Sequence, residues 1–200
     1  RLIGSFPSLL QQCLPGISGM TPLCLATQRG QKDIAIALVS AGAALNGAAR
    51  CGATPLMLAA SNGHLDLIDL FSSIGGDIHA ISHVTGVDAL FAAVTRTNLD
   101  ACIHLILKGA DLQRKLTVKF EGNPEPVILT PLLKAISSGF SDLIAWWLDF
   151  KKLSTDTVEE STGRTIFHCA ALEGKNAIAV VRMLVERGES LDRPLSSSCL

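Results

Sequence analysis

The chain has 200 residues, of which 48% are hydrophobic and 4% aromatic, and its 17 basic and 18 acidic residues give a net charge of −1. This composition excludes an intrinsically disordered chain and argues against nucleic acid or an anionic membrane as the main partner. The apolar runs are shorter than the roughly 18–20 residues that cross a bilayer, and six scattered cysteines favour free thiols in a reducing compartment.

Residues 1–18 depart from the pattern of the rest and are predicted to be a degenerate N-terminal cap or the remnant of an earlier repeat. After them, one short phrase recurs along the chain. Its copies are TPLCLA at Thr21, TPLMLA at Thr54, DALFAA at Asp88, TPLLKA at Thr130 and TIFHCA at Thr165. The spacings are 33, 34, 42 and 35 residues, so the sequence predicts five similar units in a row.

Each phrase predicts the start of a helix. The Thr or Asp side chain can accept a hydrogen bond from an amide of the first turn, where the following Pro needs no N–H. Small residues come next and allow close approach between units: Ala26, Ala59, Ala93, Ala135 and Ala170. After a short turn, a second helix is predicted with apolar residues at helical spacing, such as Leu65, Ile68 and Leu70.

Thr-Pro-Leu, Gly-His-Leu and Gly-Ala-Asp-Leu at a period of about 33 residues resemble the ankyrin repeat. The resemblance is strongest over residues 51–79 and covers about 19–193. It implies an all-α, ankyrin-type helix–turn–helix solenoid with short β-hairpin loops. The predicted repeats are about 19–50, 51–83, 84–127, 128–160 and 161–193, and residues 194–200 form a tail.

The link between the third and fourth repeats is about nine residues longer than the pattern requires. Leu116, Val118 and Phe120 alternate with polar residues, and EGNP offers a turn, so one extended hairpin insertion is predicted at about 113–129. Long insertions in tight repeats are often functional, but loop growth costs little stability and also arises by drift.

Two tryptophans, Trp146 and Trp147, stand side by side in the second helix of the fourth repeat. Because neighbouring helical residues point in different directions, one is expected to fill the core between repeats and the other to be partly exposed. In a chain so poor in aromatic residues, the exposed one is also a candidate anchor for a partner.

Several pairs of residues suggest catalysis or metal binding but are interpreted as structural. His168, beside Cys169, stands where the ankyrin pattern has a histidine, and the resemblance implies a structural hydrogen bond there. Cys102 and His104 are two residues apart on a helix and point to different faces. His79 and His83 share one loop without further nearby ligands. The chain is therefore predicted to be no enzyme and to need no cofactor or metal.

A binding surface is predicted instead. The resemblance implies that partners lie on the concave side, which is made by loop tips and first helices. Residues that vary between the repeats at these positions are the predicted partner-binding residues: Arg29, Arg50, Asn62, Thr95, Arg96, Ser138, Arg164 and Glu173. Four arginines against one glutamate suggest a mildly basic groove for an extended or acidic segment of another protein.

The predicted function is a non-catalytic protein–protein interaction module, one part of a larger intracellular protein, cytoplasmic or nuclear. We expect a monomeric domain with a protein partner, no nucleic-acid ligand and no membrane insertion. The alternative is a structural or tethering spacer in a channel, cytoskeletal or effector protein, without a ligand of its own.

Asn46 takes the loop position that the ankyrin resemblance links to hydroxylation by asparaginyl hydroxylases. Ala44 stands where an acidic residue is usual, two residues before it. The preferred interpretation is therefore that this side chain hydrogen-bonds within the turn.

Overall fold

The structure is a computed structural model that describes residues 19–49, 52–119, 125–151, 165–173 and 177–188. These residues form helices joined by short turns, together with one pair of strands. The chain divides into two compact units, which are Arg1–Asp111 with Leu116–Ile128, and Leu112–Lys115 with Leu129–Leu200.

Within the described residues, the helices follow one another as first and second helices of successive repeats. The first unit contains α1 (Pro22–Gln28), α2 (Lys32–Ser40), α3 (Pro55–Asn62), α4 (Leu65–Ser73), α5 (Ala89–Thr95) and α6 (Leu99–Leu107). The second contains α7 (Pro131–Ser137), α8 (Ser141–Lys151), α9 (Ile166–Glu173) and α10 (Ile178–Glu186). Strands β1 (Leu116–Val118) and β2 (Val127–Leu129) pair in a two-stranded sheet. The predicted all-α helix–turn–helix fold is confirmed.

Side-chain caps start the first helices where the sequence predicts them. The oxygens of Thr21, Thr54, Asp88 and Thr130 each accept a hydrogen bond from the amide three residues later, at 3.2, 3.3, 2.8 and 3.1 Å. Thr165 accepts one from the His168 amide at 3.4 Å. Each cap satisfies an amide of the first turn that has no partner inside the helix, so the five helix starts are confirmed.

The first helices of the first unit pack against each other through small side chains. Ala26, Ala59 and Ala93 are buried at the same position of three successive repeats, where α1 packs on α3 and α3 packs on α5. A larger side chain at these positions would push the neighbouring helices apart. The predicted role of these alanines is confirmed.

The buried face of α4 is a stripe of three apolar residues. Leu67, Ile68 and Phe71 are almost fully buried, whereas Leu65 and Leu70 are only half-buried. Positions i, i+1 and i+4 share one face of a helix, and Leu65 and Leu70 lie on either side of that stripe. The second helix forms where the sequence predicts it, and of the three apolar residues that indicated it, Ile68 is the fully buried one.

The predicted insertion forms a hairpin whose first strand packs on the preceding loop. Leu116 and Val118 are buried while Thr117 between them is exposed. The Lys119 amide donates to the Thr85 carbonyl at 2.9 Å. Gly86, at φ 76°, lies so close to β1 that an added methyl group would overlap the Thr117 carbonyl. The strands confirm the extended hairpin, and Phe120 lies outside the described residues.

In the second unit, the two tryptophans of α8 have the predicted division of roles. Trp147 is buried, and half-buried Trp146 stacks on Phe150 with 4.9 Å between ring centroids. The Arg187 guanidinium binds both carboxylate oxygens of Asp149, which joins the ends of α8 and α10. Trp147 therefore contributes its indole to the core, whereas the indole of Trp146 lies beside the exposed ring of Phe150.

Candidate protein-binding surface

The predicted site residues of the first helices occupy one repeated position. Arg29 caps the C-terminus of α1, Asn62 is the last residue of α3, and Arg96 caps the C-terminus of α5. All three are exposed. Because α1 packs on α3 and α3 on α5, these residues follow one another along the same edge of the first unit.

The other predicted residues lie in the second unit, next to Arg96, or outside the described side chains. Ser138 is the exposed C-cap of α7 in the second unit. Glu173 ends α9, but its side chain, like Arg50 and Arg164, lies outside what the structure describes. Thr95 is exposed at the end of α5, directly before Arg96.

The uncharged members of this set use their donors within their own helices. The Asn62 amide nitrogen donates to the Leu58 carbonyl at 2.8 Å, and the Thr95 hydroxyl donates to the Phe91 carbonyl at 2.8 Å. The Ser138 hydroxyl donates to the Lys134 carbonyl at 2.8 Å. These side chains remain acceptors but offer a partner fewer free donors.

The basic residues of the first unit fall into two groups. On the second helices, Lys32 pairs with Asp66 at 3.6 Å and Lys108 with Asp69 at 3.0 Å. Among the described residues, the guanidinium groups of Arg29 and Arg96 have no carboxylate within ion-pair distance and no hydrogen-bond acceptor. Positive charge is thus neutralised along the second helices and unneutralised at the ends of α1 and α5.

The first unit also contains an apolar groove that the sequence did not predict. It has a volume of about 210 Å³ and lies between α3, α5 and the loop before α5, with Leu58, Val87 and Ala92 in its walls. One signal was present in the sequence: Ala92 stands where the first two repeats have Leu25 and Leu58. The sequence pattern does not predict which loop residues pack around the groove, because that depends on tertiary contacts.

Three histidine side chains have hydrogen-bond partners in the fold. His168 Nδ1 lies 2.7 Å from the Thr165 hydroxyl, which supports the helix start. His64 Nε2 lies 3.2 Å from the Gln28 carbonyl of the preceding repeat. His104 Nδ1 lies 2.9 Å from the Asp100 carbonyl of its own helix. The structural interpretation of His168 is confirmed.

The cysteine thiol of α6 is not set up as a nucleophile. Cys102 is fully buried, and burial raises its pKa from 9.0 to about 12. A thiol that stays protonated is a poor nucleophile and a poor metal ligand. Among the described residues, no group of three or more His, Cys, Asp or Glu side chains is arranged to hold a metal ion.

Asn46 holds the loops of the first two repeats together. Its side-chain oxygen accepts a hydrogen bond from the Asp77 amide at 2.9 Å, 31 residues along the chain. The side chain therefore has a structural role, but its partner lies in the next repeat and not, as the preferred interpretation predicted, within its own turn. Hydroxylation of Asn46 stays the untested alternative.

The comparison with family models agrees with this architecture. A model of ankyrin repeats matches the chain in three copies, over residues 2–82, 45–116 and 90–194. The chain therefore belongs to the ankyrin-repeat family. The first match begins at residue 2 and so includes most of the segment that was set apart as an N-terminal cap.

A comparison with curated proteins gave no match. In the described part of the chain, no helix has both the length and the apolar character needed to span a membrane.

Proposed function

We propose that this ankyrin-repeat chain is a non-catalytic protein-interaction module that binds an extended, acidic segment of another protein. Ankyrin repeats are generally protein–protein interaction modules. The observation that carries the proposal is the contrast between paired lysines on the second helices and unpaired arginines at the ends of α1 and α5.

The unpaired arginines suit carboxylates for a chemical reason. A guanidinium group presents a planar set of N–H donors that matches the two oxygens of a carboxylate. Arg29 and Arg96 stand two repeats apart, with Asn62 between them. An extended segment lying across these three repeats would meet a free guanidinium at each end.

Exposed Lys119 adds positive charge to the first unit and so also favours an acidic partner. Lys119 follows β1, and its backbone amide is bound to the loop before α5. Opposite charges on a partner would be drawn to this side at long range, which raises the association rate more than the final affinity.

A display library of random peptides tests the proposal without a known partner. The parent protein is compared with Arg29→Gln/Arg96→Gln and with Lys32→Gln/Lys108→Gln, a control that removes the same charge from the second helices. We expect the parent and the lysine control to enrich peptides rich in Asp and Glu, and the arginine variant to lose this bias.

Two results would oppose the proposal. Enriched peptides without an acidic bias, or an equal bias in the arginine variant, would show that these guanidinium groups do not select the partner. The absence of any enriched peptide with the parent would favour a structural or tethering segment without its own ligand. Circular dichroism of each variant provides the check that the fold is retained.

A further inference from the structure

The apolar groove of the first unit has the size of a single side chain. It is lined by Met57, Leu58, Thr85, Val87 and Ala92 among others, with a volume of about 210 Å³. Small-molecule sites usually measure roughly 300–1,000 Å³, while a cavity of about 150 Å³ already holds benzene. The groove is therefore too small for a typical cofactor and large enough for one aliphatic side chain.

The groove lies where the third repeat has alanine in place of the leucine of the first two. The fifth residue of the recurring phrase is Leu25 in the first repeat, Leu58 in the second and Ala92 in the third. Leu58 and Ala92 are both half-buried and line the groove. A leucine in place of Ala92 would occupy the space that the groove now leaves open.

The two serine hydroxyls that line the groove are already hydrogen-bonded. The Ser61 hydroxyl donates to the Leu58 carbonyl at 3.2 Å, and the Ser82 hydroxyl accepts from the Thr85 amide at 3.1 Å. A polar ligand group would thus find few unsatisfied partners here, whereas an apolar group loses nothing by leaving water.

Two exposed basic residues are connected to the residues that line the groove. Arg96 follows Ala92 by four residues, at the end of the same helix and on the same face. The backbone amide of Lys119 donates a hydrogen bond to the carbonyl of Thr85, which lines the groove. No acidic side chain lines the groove among the described residues.

We infer that this groove, named here the Ala92 groove, binds one aliphatic side chain of the acidic partner segment, with carboxylates of the same segment placed toward Arg96 and Lys119. The inference rests on the proposed function. It adds that the acidic partner segment carries an aliphatic side chain. Leucine, isoleucine and valine are the side chains of suitable size and polarity, and an acidic residue is expected next to them.

The library experiment is extended with Ala92→Leu, which introduces the residue that the first two repeats carry. Ala179→Leu is the matched control, because Ala179 is exposed on α10 and does not line the groove. The parent and the control are expected to enrich peptides with a fixed aliphatic position beside acidic residues. Ala92→Leu is expected to keep the acidic bias and to lose the aliphatic position.

Affinities of one enriched peptide sharpen the test. Replacing its aliphatic residue by alanine should weaken binding to the parent by about 10- to 100-fold, the cost of losing a buried side chain. The same replacement should change binding to Ala92→Leu by less than threefold, because the groove is already filled.

The outcomes separate the two proposals. Acidic peptides without a fixed aliphatic position overturn the inference and leave the proposed function standing. A library that enriches nothing overturns both. The groove is also probed directly by methyl NMR with isobutanol: shifts confined to Met57, Leu58 and Val87 are expected in the parent and not in Ala92→Leu. Shifts elsewhere, or none in the parent, overturn the inference.

Discussion

Thr97 offers the most direct test of the backbone geometry that the repeats share. It lies in the turn between α5 and α6 at φ 51°, and the other repeats have Gly30, Gly63 and Gly139 in this turn at φ 67°, 72° and 71°. The left-handed region is unfavourable for residues with a side chain, and more so for a β-branched one. Replacing Thr97 by glycine should therefore relieve strain without changing the course of the chain.

The size of the effect follows from opposing contributions. A left-handed conformation costs an L-residue about 1–2 kcal/mol, while glycine loses about 0.5–1 kcal/mol more chain entropy on folding than alanine does. The exposed hydrogen bond from the Thr97 hydroxyl to the Arg96 carbonyl, 2.8 Å long, contributes little because water can replace it. We expect Thr97→Gly to raise the free energy of unfolding by about 0.5–1 kcal/mol and the Tm by about 1–4 °C.

Urea unfolding followed by far-UV circular dichroism measures this change. The matched control is Gly63→Ala at the same turn of the second repeat, where φ is 72° and an added methyl group would overlap the side-chain nitrogen of Asn98. This control should lower the free energy of unfolding by about 1 kcal/mol or more. Thr97→Ala keeps the strained φ without the hydroxyl, so it separates the two contributions. A Thr97→Gly protein no more stable than the parent, together with an unaffected Gly63→Ala, would refute the reasoning.

Two further predictions concern the hairpin and the buried thiol. Gly86→Ala should lower the free energy of unfolding by about 2 kcal/mol or more, because its methyl group would overlap the Thr117 carbonyl. Gly109→Ala, at φ 104° with open space around it, should cost only about 1 kcal/mol in the same urea titration; equal losses would contradict the proposed close contact. Cys102 should resist iodoacetamide in the native protein and react in urea, as read by peptide mass spectrometry; rapid native labelling would contradict its burial. Since burial raises its pKa from 9.0 to about 12, its contribution to stability is complete below pH 9 and is lost as the pH rises from 9 to 12.

The starts of the first helices could be predicted because the signal is local. A cap such as Thr54 and the proline after it act within one helical turn, so the few residues that form the motif also decide the structure. Buried alanines such as Ala59 are similarly predictable once the repeat is recognised, since each copy occupies an equivalent environment. These parts of the fold depend little on distant residues.

Other features depend on contacts that a repeat pattern does not encode. The apolar residues of α4 cover more of the helix than its buried face, and only packing against neighbours selects Leu67 and Phe71 over Leu65 and Leu70. The partner of Asn46 lies 31 residues away. Sequence patterns indicate which side chains are apolar or polar, but tertiary structure decides which neighbour each one meets.

Tertiary structure also reduces the number of residues in the predicted binding surface that can bind a partner. The sequence selects Arg29, Asn62, Thr95 and Arg96 together, because all four vary between repeats and stand at the ends of first helices. The hydrogen bonds divide this set: the donors of Asn62 and Thr95 are used by their own helices, and the two guanidinium groups have no such partner among the described residues. A repeat needs its caps, turns and packed alanines to fold, but it does not need a charge at the end of a first helix. Charges that the fold leaves unpaired beside an apolar groove are therefore the residues on which a test for binding should concentrate.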